Sequence, residues 1–206
     1  MGLNSFDAVA GPRPQDVLPE SASVAVKIVV VGGFGVGKTT LVGAVSEIAP
    51  LTTEETMTQA GAGVDDLFGV EEKSATTVAM DFGRISLNDR LVLYLFGTPG
   101  QQRFWFLWNG LFEGALGAVV LVDTRRLESC FDVLGRLEEG GVPFIVAVNQ
   151  FPDAPQHSLE DIRLALDLSP DVPLVGADVR HREAGRDVLL ALLRRLHTLA
   201  QPLEAR

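Results

Sequence analysis

The sequence is poor in cysteine, in positive charge and in long apolar runs, and each shortage excludes something. Cys130 is the only cysteine in 206 residues, which rules out an intramolecular disulfide and a thiolate metal cluster. Its expected role is that of a small buried apolar residue. Only 17 Lys and Arg stand against 27 Asp and Glu, a net charge of −10. A surface of that sign offers no broad attraction to nucleic acid or to anionic membranes. A small anion can still bind, but only in a local trap of oriented donors. No apolar run approaches the roughly 20 residues that span a bilayer. The opening stretch MGLNSFDAVAGPRPQDVLPES lacks the basic region and apolar block of a secretory signal. Phe6 stands where a myristoylation pattern needs Ser or Thr, and the ending QPLEAR offers no cysteine for prenylation. The expectation is a cytoplasmic chain without an integral membrane segment, reaching a membrane only through partners.

What is present is ordinary globular composition, 47% hydrophobic and 21% charged. Residues 1–22, rich in Pro, Gly, Ser and Asp, read as a flexible N-terminal arm, 23–200 as one domain and 201–206 as a C-terminal tail. Residues 24–31 form a β-branched run suited to a buried parallel strand, and a helix is expected from Thr39 to Ile48, closed by Pro50. Residues 51–75 show no clean period and read as a long loop, a length that is usually functional or disordered. TTVAMDFGRISL and RLVLYLF then read as two strands joined by a tight turn at Asn88-Asp89. The strand GAVVLVD, a helix over 125–139, the strand PFIVAVN, a short helix over 158–167 and the strand VPLVGA follow. A last helix places Leu189, Leu192, Leu193, Leu196 and Leu199 on one face. Alternating strands and helices predict an α/β fold with a mostly parallel six-stranded sheet flanked by helices on both faces.

Between the first strand and helix lies GGFGVGKTT, which contains G-x-x-x-x-G-K-[ST] as Gly32, Gly37, Lys38 and Thr39. Glycines let backbone N–H groups converge on phosphate oxygens, and the helix beginning near Lys38 adds its positive dipole end. Gly35, Val36, Gly37, Lys38, Thr39 and Thr40 are the candidate phosphate contacts. Lys38 suits the β and γ phosphates as a point charge, and the Thr39 hydroxyl suits Mg²⁺.

Downstream, TTVAMDFG at 76–83 and LYLFGTPGQQRF at 93–104 resemble the Ras-like small GTPases, P-loop NTPases with a G domain. The Pro-Gly-Gln of the second segment and the aromatic run RFWFLW are similar to a bacterial branch, the MglA-like GTPases and those of actinobacterial conservon operons. The resemblance implies a GTP/GDP switch with Mg²⁺, slow hydrolysis, switch I at 51–77 and switch II at 97–112. It places Thr77 on the metal, with neighbouring Thr76 as the alternative if the register is off by one. Gly100 falls on the γ-phosphate and Gln101 on the attacking water. Relatives of this branch work with a Roadblock/LC7-type regulatory protein, so such a partner is implied, as are activating and exchange factors.

The chain also departs from the pattern. Gly97 stands where Ras-like proteins carry the switch II Asp that steadies Mg²⁺; Asp123 either supplies a carboxylate on the phosphate side or, as we prefer, caps the next helix. The base motif Asn-Lys-x-Asp becomes Asn149, Gln150, Phe151, Pro152 and Asp153, with the carboxylate one residue late. Asp178, Val179 and Arg180 replace the usual backing loop, where the Val179 N–H can still serve the base. Guanine is favoured over adenine. Residues 41–83 contain no arginine, so a cis arginine finger from switch I is absent, leaving Arg84 and Arg103 as candidates. Phe104, Trp105, Phe106, Trp108 and Phe112 crowd switch II, and some of them are expected to form a partner surface. A pseudo-GTPase adaptor with little turnover is the alternative reading.

Overall fold

A computed structural model describes residues 24–49, 51–57, 76–100 and 108–201. Strand β1 (Val24–Val31) occupies the middle of the sheet, parallel to β4 (Leu91–Gly97) on one side and β5 (Ala115–Val122) on the other. Its apolar run is explained by burial on both faces: Ile28 and Val30 enter one core cluster, Val29 and Val31 the other. The first cluster is covered by α1 (Lys38–Val45) and α5 (Arg182–Ala200), the second by α3 (Phe131–Glu139) and α4 (Leu159–Ala165). β6 (Phe144–Asn149) and β7 (Leu174–Ala177) continue the parallel side, and α2 (Trp108–Phe112) precedes β5.

The fold class is the expected one, with a strand added. Leu51–Met57, read above as the start of a loop, is β2, antiparallel to β3 (Thr76–Ser86), and the order is β2-β3-β4-β1-β5-β6-β7. LTTEETM has no apolar alternation because an edge strand needs no core face, and Thr52, Thr53 and Thr56 supply the β-branched preference. Three boundaries also differ. Helix α1 stops at Val45, where the Ser46 hydroxyl donates to the Ile48 carbonyl (2.8 Å) and accepts from the Arg84 N–H (3.2 Å). The 125–139 helix begins later, as a 3₁₀ turn at Leu127–Cys130, because Asp123 holds Arg125 in a turn. The β3–β4 connection is longer than a two-residue turn: Leu87 N–H donates to Leu91 O, while Asn88 Oδ1 accepts from the N–H groups of Arg90 and Leu91.

Leu189 and Leu192 are buried and Leu193 and Leu196 pack against the core, but Leu199 is exposed. Cys130 is buried as expected, and burial pushes its thiol up to about 11. Phe112 packs on the second core cluster; Phe104, Trp105, Phe106, Gln101 and Arg103 lie outside the described residues, as do 1–23 and 58–75. Among the described residues no helix is long and apolar enough to cross a membrane.

Candidate functional site

The loops after the carboxyl ends of β1, β4, β5, β6 and β7 meet along one edge of the sheet, and strand order turns back beside β1. Ligands of open α/β sheets bind in that crevice. Gly37, the residue before α1, has φ +105°, and a Cβ there would lie 2.7 Å from Asn149 Nδ2. Only glycine fits so close an approach at that backbone angle. Val36 is buried beneath the loop, while Gly35, Thr39 and Thr40 are exposed along its rim.

Lys38 is 7% exposed, and its Nζ donates to Gly32 O (2.9 Å) and Gly33 O (2.7 Å). Burial lowers its ammonium to about 8, opposed by the nearby Asp81 charge. A desolvated cation beneath a glycine loop gains by meeting phosphate oxygens. Gly100 closes on the same point: a Cβ there would lie 2.8 Å from Lys38 Nζ and 2.8 Å from Gly33 O. The segment that leads to it from β4 is fastened by the Thr98 N–H, which donates to Val30 O at 3.0 Å.

Asn149 joins three loops. Buried at the end of β6, it donates from Nδ2 to Val36 O (3.0 Å) and accepts at Oδ1 from the Val179 N–H (3.2 Å). The role expected for it at the base is thus preceded by a structural one. Gln150 is exposed beside it. The flanking carboxylates are both engaged by arginines. Asp153, with a side chain 79% exposed, pairs with Arg125 at 3.3 Å, and Arg125 lies over the Phe151 ring at 4.0 Å. Asp178 pairs with Arg180 at 2.6 Å and with His181 at 3.4 Å, and the Arg180 hydrogen bond holds its carboxyl far below the usual range.

Asp123 does not cap the helix that follows, whose N-terminus has no side-chain cap bond; it closes the turn before it. It is 2% exposed, accepts from the Arg125 N–H (2.9 Å), and pairs with Arg125 (2.9 Å) and Arg126 (3.7 Å). Burial works to raise its carboxyl, but the Arg125 bonds prevail and hold it below the ordinary value. Arg84 is buried in β3 and is no surface finger, whereas Arg126, which sequence reasoning passed over, donates to Phe34 O at 3.1 Å on the glycine loop.

Thr39 and Thr77 are the two expected metal ligands. Thr77 lies on β3 in register with Thr56, four residues, or roughly 13 Å of extended chain, from Asp81. It is Asp81 that meets Thr39: the hydroxyl donates to Asp81 Oδ2 at 2.6 Å. Asp81 stands within TTVAMDFG, and its place in that segment is the only sign of it in the sequence. A hydroxyl and a carboxylate are the hard oxygen donors that suit Mg²⁺. Among the described residues no cluster of three His, Cys, Asp or Glu could hold a metal alone.

Comparison with known proteins finds an uncharacterized protein of Methanocaldococcus jannaschii, 31% identical over 61% of this chain and 70% of that one. Ras-related protein RABA3 of Arabidopsis thaliana is 32% identical over 59% of this chain and 44% of its own length. Ras-related protein Rab-11C of Dictyostelium discoideum is 29% identical over 58% and 46%. The chain thus spans less than half the length of these two Ras-related proteins. A family model described as conserved hypothetical ATP binding protein matches residues 30–198, from the end of β1 through the last helix, and the chain belongs to that family.

Proposed function

We propose that the chain is a nucleotide-dependent switch that binds GTP or GDP with Mg²⁺, hydrolyses GTP slowly and changes partners with the nucleotide it holds. The observation that carries this reading is the closed phosphate loop, with Lys38 buried beneath it and Asn149 tying it to the loops after β6 and β7. Lys38 and the loop amides bind and orient phosphates; Thr39 serves the metal; the Gly100 N–H serves the terminal phosphate; Gln101 orients the water. Thr77 joins the metal when switch I closes. Mg²⁺, when bound, neutralises phosphate charge. Turnover waits for a partner because switch I supplies no arginine.

Guanine is supported by the Ras-related relatives and by Asp153, whose carboxylate matches the two donors on the guanine edge once it exchanges Arg125 for the base. The Val179 N–H and Asp178 line the opposite loop. The family description names ATP, so both purines belong in the test. The MglA-like conservon assignment, bacterial signalling, a Roadblock/LC7-type partner and a cytoplasmic location complete the proposal on the Pro99-Gly100-Gln101 and aromatic motifs. A second reading, a pseudo-GTPase adaptor, draws on the ion pairing of Asp153 and on Gly97.

Chromatography of nucleotide released from the purified protein separates these readings. Guanine nucleotide supports the switch; adenine nucleotide replaces guanine with adenine specificity. An empty site that takes up neither purine supports the adaptor.

A further inference from the structure

A groove of about 220 Å³ opens between the end of α1, strands β3 and β4, and α5, and shares no lining residue with the phosphate cleft. Its floor is apolar: Val45, Ile85, Leu93 and Leu189 are buried there. Leu87 and Leu190 stand on its rim, each 41% exposed. The volume falls short of the roughly 300–1,000 Å³ of a drug-sized ligand site and suits the side chains of a peptide segment. Arg182 and Arg186 line the same groove about one helical turn apart, roughly 6 Å along α5, and both are exposed. Among the described residues neither arginine has an ion-pair partner. Glu47, which also lines the groove, accepts from the Ser86 N–H at 2.8 Å. Two cations against one carboxylate make a positive patch in a chain whose net charge is −10.

The fold brings the beginning of the chain to this patch. Val24, the first residue of β1, is 52% exposed and pairs with Leu91. The Leu91 carbonyl in turn accepts from the N–H of Leu87 on the rim of the groove. Residues 1–23, which precede Val24, carry Asp7, Asp16 and Glu20 against Arg13. Within them Asp16-Val17-Leu18-Pro19-Glu20 sets two aliphatic residues between two carboxylates. Leu18 is six residues from Val24, a reach of about 20 Å. Two strand spacings, about 10 Å, separate β1 from β3. We propose that residues 16–20 dock in this groove, with Val17 and Leu18 on its apolar floor and Asp16 and Glu20 against Arg182 and Arg186. The tether makes docking intramolecular, at an effective concentration in the millimolar range, so a small contact suffices. The inference is independent of the nucleotide reading.

The test places a spin label at Gln15→Cys in the full chain. Cys130 stays unlabelled, because it is buried with its thiol pushed up to about 11. Methyl signals of Leu189, Leu190 and Leu193, which line the groove, should lose most of their intensity. Leu18→Asp, a change outside the core, should restore it. Arg182→Glu/Arg186→Glu should do the same, with a melting curve to check folding, and adding Asp16→Arg/Glu20→Arg should bring the loss back. Full signals in the labelled wild type, or a loss that either set of substitutions leaves unchanged, overturn the proposal. So does a loss that persists undiminished when spin label and isotope sit on different chains, since the occupant is then a second copy.

Discussion

Asn149→Ala removes the link that holds the phosphate loop to the two loops beside it. The variant loses the bond to Val36 O and the bond from the Val179 N–H, and leaves both buried backbone groups without a partner. An orphaned buried group costs about 1–3 kcal/mol. Two of them place the loss at roughly 3 kcal/mol, in the lower half of the summed range because the loops border an open cleft. Against a typical total of about 5–15 kcal/mol that is a large fraction. In a chain of 206 residues each kcal/mol moves the midpoint by about 2–4 °C, so the melt should fall by about 6–12 °C. Thermal unfolding followed by circular dichroism, with and without nucleotide, measures it. Asn149→Asp should be no better than alanine, since it keeps the acceptor for Val179 but turns an oxygen toward the Val36 carbonyl. An Asn149→Ala midpoint within about 2 °C of wild type refutes the stitching role.

Two further predictions concern charge and packing. Burial lowers Lys38 from 10.5 to about 8, so between those values the folded state has released a proton that the unfolded chain still holds. Stability of the nucleotide-free protein should therefore rise as pH goes from about 8 to 10.5, and Lys38→Met should flatten that rise in urea titrations. Bound phosphates favour the ammonium, so nucleotide affinity should be full below about 8 and fall above it, approaching tenfold per pH unit. In α5, a Cβ on Gly185 would lie 2.6 Å from Val45 Cγ1 and 3.0 Å from Leu41 Cδ1. Gly185→Ala gains about 1 kcal/mol of helix propensity but overpacks the α1–α5 contact at about 1–3 kcal/mol, so a lower urea midpoint is expected. A higher midpoint means that the contact is slack.

The parts of the site that lie close in sequence were legible. GGFGVGKTT carries its geometry in nine residues, and the alternating strands and helices place it at the end of a central strand. Features that depend on pairing were not. A two-residue turn at Asn88-Asp89 would put Asp81 opposite Phe96; the longer connection shifts the register by one and brings Asp81 to Gly97. One residue of slip exchanges the two faces of a strand, which is why the Asp81 site could not be read from the motif alone. β2 escaped for a related reason: LTTEETM carries no period because its pairing with β3, not a buried stripe, defines it. The pairing of Asp123 and Asp153 through Arg125 was not legible either, since its reach to both carboxylates depends on the turn after β5.

Titration calorimetry of the full chain with GDP, GTP, ADP and ATP at saturating Mg²⁺, beside Lys38→Ala, bears most directly on the phosphate loop. The account predicts heat from a guanine nucleotide in the wild type and its loss in the variant. Silence from all four nucleotides, or equal affinity in Lys38→Ala, would contradict it.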